Sequence, residues 1–261
     1  MEILEMEKNI NANYRINYDN KTFTNLRIKT IIIYGIEHKG STYNTVQLFK
    51  KSLNLDENDV IEYFLPKDMP YFCIGCNNCF LKGEEFCPYQ KYVTPIKKAI
   101  LSAELIILAS PVYLFHITGQ MKTLLDHFGF QFMNHRPNKL MFSKTALVVS
   151  IAAGAGMKSA INDMAGSLEY WGISRIYKFG FAVRASNWNE ITEKNKQKID
   201  QTVKKISNKI LLEKNKKIKP NCKIKGLFYL FRMLHKKSYL IPHDKDYWES
   251  QGWLDKKRPW K

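Results

Sequence analysis

The sequence predicts an α/β fold in which five parallel strands form a doubly wound sheet in the order 2-1-3-4-5. Five short apolar runs rich in β-branched residues alternate with five stretches of helical periodicity. A continuous apolar run is typical of a parallel strand that is buried on both faces. Because parallel strands are joined by right-handed crossovers, we expect helices on both faces of the sheet.

The first three strands carry the clearest signal. Residues 30–36 (TIIIYGI) and 104–110 (ELIILAS) are apolar almost throughout, and residues 59–65 (DVIEYFL) give a strand between them. Apolar residues at helical spacing predict helices over 42–53 and 92–101. These elements account for the first two crossovers.

The second half of the pattern continues the alternation. Residues 118–132 and 158–171 have apolar side chains on one helical face, and a strand is predicted between them over 144–151 (KTALVVSI). A fifth strand over 173–183 and a polar helix over 190–212 complete the predicted sheet and its layers.

Two extensions flank a central domain predicted over residues 29–212. The N-terminal extension, residues 1–28, has alternating residues over 14–23 around an Asp-Asn-Lys turn, a pattern compatible with a hairpin. The C-terminal extension, residues 213–261, opens with a polar stretch over 213–225. That stretch is expected to be a solvated linker.

Most of the positive charge lies near the C-terminus. The net charge is +17, and residues 203–261 hold 17 Lys and Arg against 5 Asp and Glu. Basic residues interleaved with aromatic rings can bind polyanions or lie on a membrane surface. The favoured interpretation is that the aromatic residues pack on the central domain or on a second subunit, because the region has five acidic residues and no recognisable nucleic-acid-binding module.

The sequence also bears on location. No apolar run approaches the roughly 18 residues that a membrane span needs. The N-terminus lacks the basic start and apolar block of a secretory signal. We therefore expect a cytoplasmic protein without a membrane span.

Three loops should meet where the winding of the sheet reverses, between strands one and three. Residues 38–44 lead into a helix, whose free N–H groups and dipole suit a phosphate, although capping by Ser41 or Thr42 is an alternative. Residues 111–115 offer backbone donors and aromatic rings to a planar heterocycle, and residues 153–156 form a small-residue turn. The candidate binding residues are His38, Gly40, Ser41, Thr42, Tyr43, Asn44, Pro111, Val112, Tyr113, Leu114, Phe115, Ala153, Gly154, Ala155 and Gly156.

These loops resemble those of the flavodoxin-like NAD(P)H-dependent FMN reductases. The similar motifs are HKGST (38–42), SPVY-x4-TG-x-MK-x3-D (110–126), HRP (135–137) and the AAGAG turn. The resemblance covers roughly residues 29–185. It implies an FMN whose phosphate lies on the first loop and whose isoalloxazine ring is held by the second and third.

The resemblance implies an oxidoreductase that passes electrons from NAD(P)H through FMN to a small acceptor, such as a quinone, a flavin or a nitroaromatic compound. It also implies a homodimer or higher homo-oligomer. No catalytic residue is assigned, because no protein acid or base is obligatory. The alternatives are a non-enzymatic flavodoxin-type or iron-sulfur electron carrier, and a polyanion-binding protein that acts through the basic extension.

Four of the five cysteines form a compact motif, C-x2-C-x2-C-x7-C, at Cys73, Cys76, Cys79 and Cys87. Such clustering in a reducing compartment favours metal or redox chemistry over disulfide bonds. Three closely spaced thiolates and a more distant fourth can hold a [4Fe-4S] cluster, and the spacing resembles that of iron-sulfur flavoproteins. Zinc, reduced thiols and a labile disulfide are the alternatives.

Overall fold

The computed structural model describes residues 27–237 and 241–261. Its sheet contains five parallel strands in the order β2-β1-β3-β4-β5, so the predicted fold class and strand order are confirmed. The hairpin considered for residues 14–23 lies outside the described residues.

The strands differ in burial according to their place in the sheet. They are β1 (Thr30–Tyr34), β2 (Val60–Phe64), β3 (Leu105–Pro111), β4 (Thr145–Ala152) and β5 (Arg175–Ala182). The central strands β1, β3 and β4 are buried along nearly their whole length, whereas the edge strands β2 and β5 are partly exposed. Because β1 lies beside β3, the loops that follow these two strands are neighbours.

The helices match the predicted alternation, and two expectations about their extent were wrong. They are α1 (Ser41–Ser52), α2 (Asn78–Leu81), α3 (Gln90–Ser102), α4 (Gly119–His127), α5 (Met157–Tyr170), α6 (Glu193–Glu213), α7 (Cys222–Lys236) and α8 (Pro242–Ser250). The helix expected over 118–132 ends at His127, because the chain continues into a separate 3₁₀ turn over Gly129–Gln131. The linker expected over 213–225 ends early, because the Asn221 side chain accepts a hydrogen bond from the Ile224 backbone N at 2.9 Å and starts α7.

Two apolar cores fill the two faces of the sheet. Along β1, Ile31 and Ile33 belong to one core, and Ile32 and Tyr34 belong to the other. Because successive strand residues point to opposite faces, an uninterrupted apolar run serves both cores. Helices α3, α4 and α5 close the first core, and α1 and α6 close the second.

A third core joins the C-terminal extension to the central domain. Phe228 of α7 and Trp248 of α8 are fully buried in one cluster with Met133 and Phe142. The rings of Phe228 and Trp248 stack with centroids 5.0 Å apart. The expectation that aromatic residues of the extension pack on the central domain is confirmed. Across residues 27–237 and 241–261, no helix is both long and apolar enough to cross a bilayer.

Candidate functional site

A crevice of about 200 Å³ opens at the carboxyl ends of the central strands. Its walls come from all three predicted loops and from the loop after β5. The lining residues are Ile36, His38, Gly40, Ser41, Thr42, Pro111, Val112, Tyr113, Ile151, Ala152, Ala153, Val183, Ala185 and Ser186. The sheet order thus brings together loops that are distant in sequence.

Buried hydroxyl groups tie the loops beneath the crevice together. Thr118 Oγ1 donates to the carbonyl oxygen of Gly35 at 2.6 Å, and the Thr118 backbone N donates to Ser110 Oγ at 3.0 Å. Both hydroxyl side chains are fully buried. A Cβ at position 35 would lie 2.7 Å from Thr118 Oγ1, so the close approach of the loops after β1 and β3 requires glycine there.

The helix that begins at the crevice has no side-chain cap. The residue before its first turn is Gly40, and no side chain accepts a hydrogen bond from the first-turn N–H groups. The alternative that Ser41 or Thr42 serves as the N-cap is therefore wrong. Since the first N–H groups of a helix have no partner within it, the start of α1 offers donors and the positive end of the helix dipole to an anion.

The second loop is a tight two-residue hairpin. Tyr113 and His116 exchange both backbone hydrogen bonds, at 2.9 and 3.0 Å. Leu114 and Phe115 at its tip both have positive φ, of 46° and 68°. Such a turn matches the twist of a hairpin, although it is rarely built from large apolar residues. It holds Tyr113 on the rim of the crevice.

The third loop packs against this hairpin through Gly156. Its φ is +95°, and a Cβ there would lie 2.7 Å from Val112 Cγ1 and 2.9 Å from the Cα of Phe115. At Gly154, by contrast, a Cβ would meet no atom within 4 Å. Gly156 is therefore the position in this turn that sets the distance between the second and third loops.

Seven predicted binding residues do not line the crevice. The Tyr43 ring packs 5.4 Å from that of Tyr34, and the Asn44 side-chain amide donates to the Gly40 carbonyl oxygen at 2.9 Å. Leu114, which is 94% exposed, and Phe115 form the hairpin tip. The other three, all in the third loop, are Gly154, Ala155 and Gly156.

The crevice also contains residues that the sequence reasoning missed. Ile36, Ile151 and Ala152 lie at or just past the ends of β1 and β4, and Val183, Ala185 and Ser186 follow β5. These residues could have been found from their position after a strand, because every loop that follows a parallel strand opens at the same edge of the sheet. Their apolar or small side chains gave no separate chemical signal.

A second cavity, of about 510 Å³, lies on the other side of the hairpin. It is lined by His116, Ile117, Gly119, Lys122, Leu125, Asp126, Phe132, Asp163 and Ser167. His116 Nδ1 lies 2.9 Å from Asp163 Oδ2, so the imidazole can donate to the carboxylate and link the hairpin to α5. Since Tyr113 pairs with His116, the hairpin forms part of the wall of both cavities.

The cysteine loop, residues 73–87, brings its four thiols around one small cavity of about 40 Å³. Cys73 and Cys76 are exposed, whereas Cys79 and Cys87 are partly buried, and all four are free thiols. Burial raises the pKa of Cys79 to about 11 and raises that of Cys87 as well, and the neighbouring thiols add to both effects. At neutral pH Cys79 is therefore a thiol rather than a thiolate.

The arrangement of the four thiols bears on whether they can bind a metal. Within residues 27–237 and 241–261, no group of three or more His, Cys, Asp or Glu side chains is placed to hold a metal ion. The four cysteines thus share a cavity but do not form a ready-made ligand set. The cysteines fit a [4Fe-4S] cluster in ligand type and number, and all four line the same cavity.

The sequence profile of the family described as NADPH-dependent FMN reductase matches residues 28–187. An iron-sulfur flavoprotein of Archaeoglobus fulgidus is 26% identical over 234 residues, which make up 87% of this chain and 100% of the relative.

Solved structures give the same fold. An azoreductase from Bacillus anthracis has a TM-score of 0.53 at 16% identity, and the match covers 70% of this chain and 99% of that one. An NAD(P)H:quinone oxidoreductase from Methanothermobacter marburgensis also has a TM-score of 0.53, at 12% identity, with 69% and 96% covered. At these identities the structural likeness establishes the fold.

Proposed function

We propose that this chain, which belongs to the NADPH-dependent FMN reductase family, transfers electrons from NAD(P)H through FMN to a small acceptor of the quinone, flavin, nitroaromatic or azo class. The observation that carries the proposal is the crevice, where an uncapped helix N-terminus and an aromatic hairpin meet at the reversal of the sheet. The cytoplasmic location, the homo-oligomer and the division into a central domain and two extensions stay predictions.

Different residues of the crevice would bind the phosphate and the ring system of FMN. The start of α1, with Ser41 and Thr42, would hold the phosphate of FMN, because free N–H groups and hydroxyl groups can donate hydrogen bonds to an anion. The hairpin at Tyr113 and the turn at Ala153 would hold the ring system. Bound FMN supplies the redox chemistry, and the protein supplies position and exclusion of water.

The phosphate assignment is tested by comparing FMN with riboflavin, which lacks the phosphate. We expect FMN to bind at least about tenfold more tightly, since a hydrogen bond to a charged group contributes about 1.5–3 kcal/mol. Ser41→Ala should weaken FMN binding and leave riboflavin binding unchanged. Ser52→Ala, at the opposite end of α1, is the matched control. Equal affinities for both flavins, measured by fluorescence titration, would contradict this assignment.

Turnover distinguishes the enzyme from an electron carrier. The FMN-loaded protein is expected to oxidise NADH or NADPH steadily when a quinone, nitroaromatic or azo compound is supplied. Flavin binding without turnover with any of these acceptors would favour the carrier. Salt-dependent nucleic-acid binding that is lost on removal of residues 213–261 would favour the polyanion-binding alternative.

A second redox centre is supported by the four thiols around one cavity. Cys73, Cys76, Cys79 and Cys87 would hold a [4Fe-4S] cluster, which would supply one-electron transfer beside the flavin. The measurement is iron and acid-labile sulfide in anaerobically purified protein, with Cys79→Ser as the test variant and Cys222→Ser as the control. Flavin absorbance without iron or sulfide would leave the cysteines as reduced thiols, and the reductase proposal would stand.

A further inference from the structure

One arginine joins the C-terminal extension to the cysteine loop. Arg136, only 7% exposed, donates from Nη2 to the carbonyl oxygen of Cys79 and from Nη1 to that of Phe80, the latter at 3.4 Å. Its Nη1 also pairs with Asp244 Oδ1 of α8. Asp244 is fully buried. A carboxylate of the extension and two carbonyl groups of the cysteine loop therefore share one cation.

The same carboxylate fixes a second contact with the loop. Asp244 Oδ2 lies 2.6 Å from His135 Nδ1, and the His135 ring stacks on Phe80 with centroids 4.3 Å apart. Trp248 Nε1 donates to the His135 carbonyl oxygen at 2.7 Å. Phe80 is thus held through its carbonyl group by Arg136 and through its ring by His135.

We propose that the C-terminal extension is a clamp on the cysteine loop, in which Asp244 positions Arg136 and Arg136 holds the Cys79 segment against the central domain. A buried guanidinium needs a counter-charge, and the other carboxylate near it, Glu84, is partly exposed and 3.4 Å away. Asp244 touches no thiol, so it is a positioning residue. The clamp acts whether the thiols bind a metal or stay reduced, so its test is independent of electron transfer.

The clamp is tested by the alkylation rate of each cysteine in the full chain. Iodoacetamide is applied to reduced, chelator-treated protein, and each cysteine is quantified by mass spectrometry. We expect Asp244→Asn to raise the rate at Cys79 by at least about fivefold, because protection is lost when a segment opens locally. Cys222, which is exposed, should react at an unchanged rate.

The matched control is Asp246→Asn, which removes the same charge from an exposed position on the same helix. Its Cys79 rate should equal that of the wild type. Because Asp244→Asn leaves a buried arginine without its counter-charge, the double variant Arg136→Gln/Asp244→Asn is measured beside it. An asparagine amide oxygen can still accept the hydrogen bond from His135, so if Asp244 acts through Arg136 the double variant should match Arg136→Gln alone.

Far-ultraviolet circular dichroism shows whether each variant folds, and only folded variants are compared. If the single variant does not fold, the double variant is compared with the wild type. An unchanged Cys79 rate in either folded variant would overturn the proposal. An equal acceleration in Asp246→Asn would overturn it too, because the effect would then follow charge rather than the contact with Arg136.

Discussion

His235 of α7 lies fully buried against Trp248, with ring centroids 4.7 Å apart. Burial disfavours the imidazolium and lowers the pKa of His235 to about 4, whereas the Asp244 carboxylate acts in the opposite direction and His135 adds to the lowering. In the unfolded chain the pKa of a histidine is about 6.5. Between these two values the unfolded chain binds more protons, so acid favours unfolding.

We therefore expect the stabilising effect of a neutral His235 to be complete above pH 6.5 and to be lost as the pH falls towards 4. The loss should be on the order of 3 kcal/mol in the free energy of unfolding, which corresponds to the shift from 6.5 to about 4. His235→Phe should lose less stability than the wild type over this range, whereas His243→Phe should follow the wild type. Urea unfolding at several pH values measures the difference, and parallel curves for all three proteins would contradict it.

At the scale of elements, the crevice depends on how closely the hairpin and the third loop approach each other. Gly156 allows that approach because its backbone is left-handed and its missing side chain leaves room for Val112. The hairpin in turn is linked to α5 by His116 and Asp163. The geometry of this side of the crevice is thus set by the packing of the third loop on the hairpin and by the link from the hairpin to α5.

Gly156→Ala should weaken FMN binding by at least about tenfold, which corresponds to about 1.4 kcal/mol. The added Cβ would push the hairpin away and strain a positive φ. Gly154→Ala in the same turn should change the dissociation constant by less than about twofold, since its Cβ would meet open space. Flavin fluorescence titration of both variants is the measurement, and equal losses would argue against this role of Gly156.

Periodicity predicted the strands because a buried parallel strand must be apolar on both faces, as β1 and β3 are. Their order was predicted from the alternation of strands with helices. Periodicity predicted a helix longer than α4, because the apolar residues after His127 continue the helical pattern while the backbone changes to a 3₁₀ turn. The tight hairpin was not predicted, since Leu114 and Phe115 give no turn signal. The contact between Arg136 and Asp244 was not predictable either, because 108 residues separate the partners.

At the scale of the whole molecule, the C-terminal extension adds a third core to the two that flank the sheet. Trp248, Trp253 and Phe228 are buried there together with Phe142 of the central domain. Each Lys and Arg side chain of the extension is exposed or partly exposed. The C-terminal extension therefore has an excess of positive charge and also contributes buried aromatic residues to the third core.

Trp248→Ala should lower the free energy of unfolding by about 3–5 kcal/mol, the usual cost of truncating a buried aromatic side chain. Leu212→Ala should change it by no more than about 0.5 kcal/mol, since Leu212 is 74% exposed. Urea denaturation followed by far-ultraviolet circular dichroism avoids dependence on the tryptophan signal. A loss at Trp248 no larger than that at Leu212 would mean that the third core contributes little to stability.

The link from Cys79 through Arg136 to Asp244 also has a consequence for synthesis. During translation the cysteine loop leaves the ribosome long before α8 exists, because the loop ends at Cys87 and α8 begins at Pro242. Domains fold as their residues emerge, so the sheet can begin to form while the thiols still lack their last anchor. On the proposed clamp, the nascent chain thus passes through a period in which oxidants or metal donors reach Cys79 more easily than in the finished protein, whereas Cys73 and Cys76 are exposed in the finished protein too.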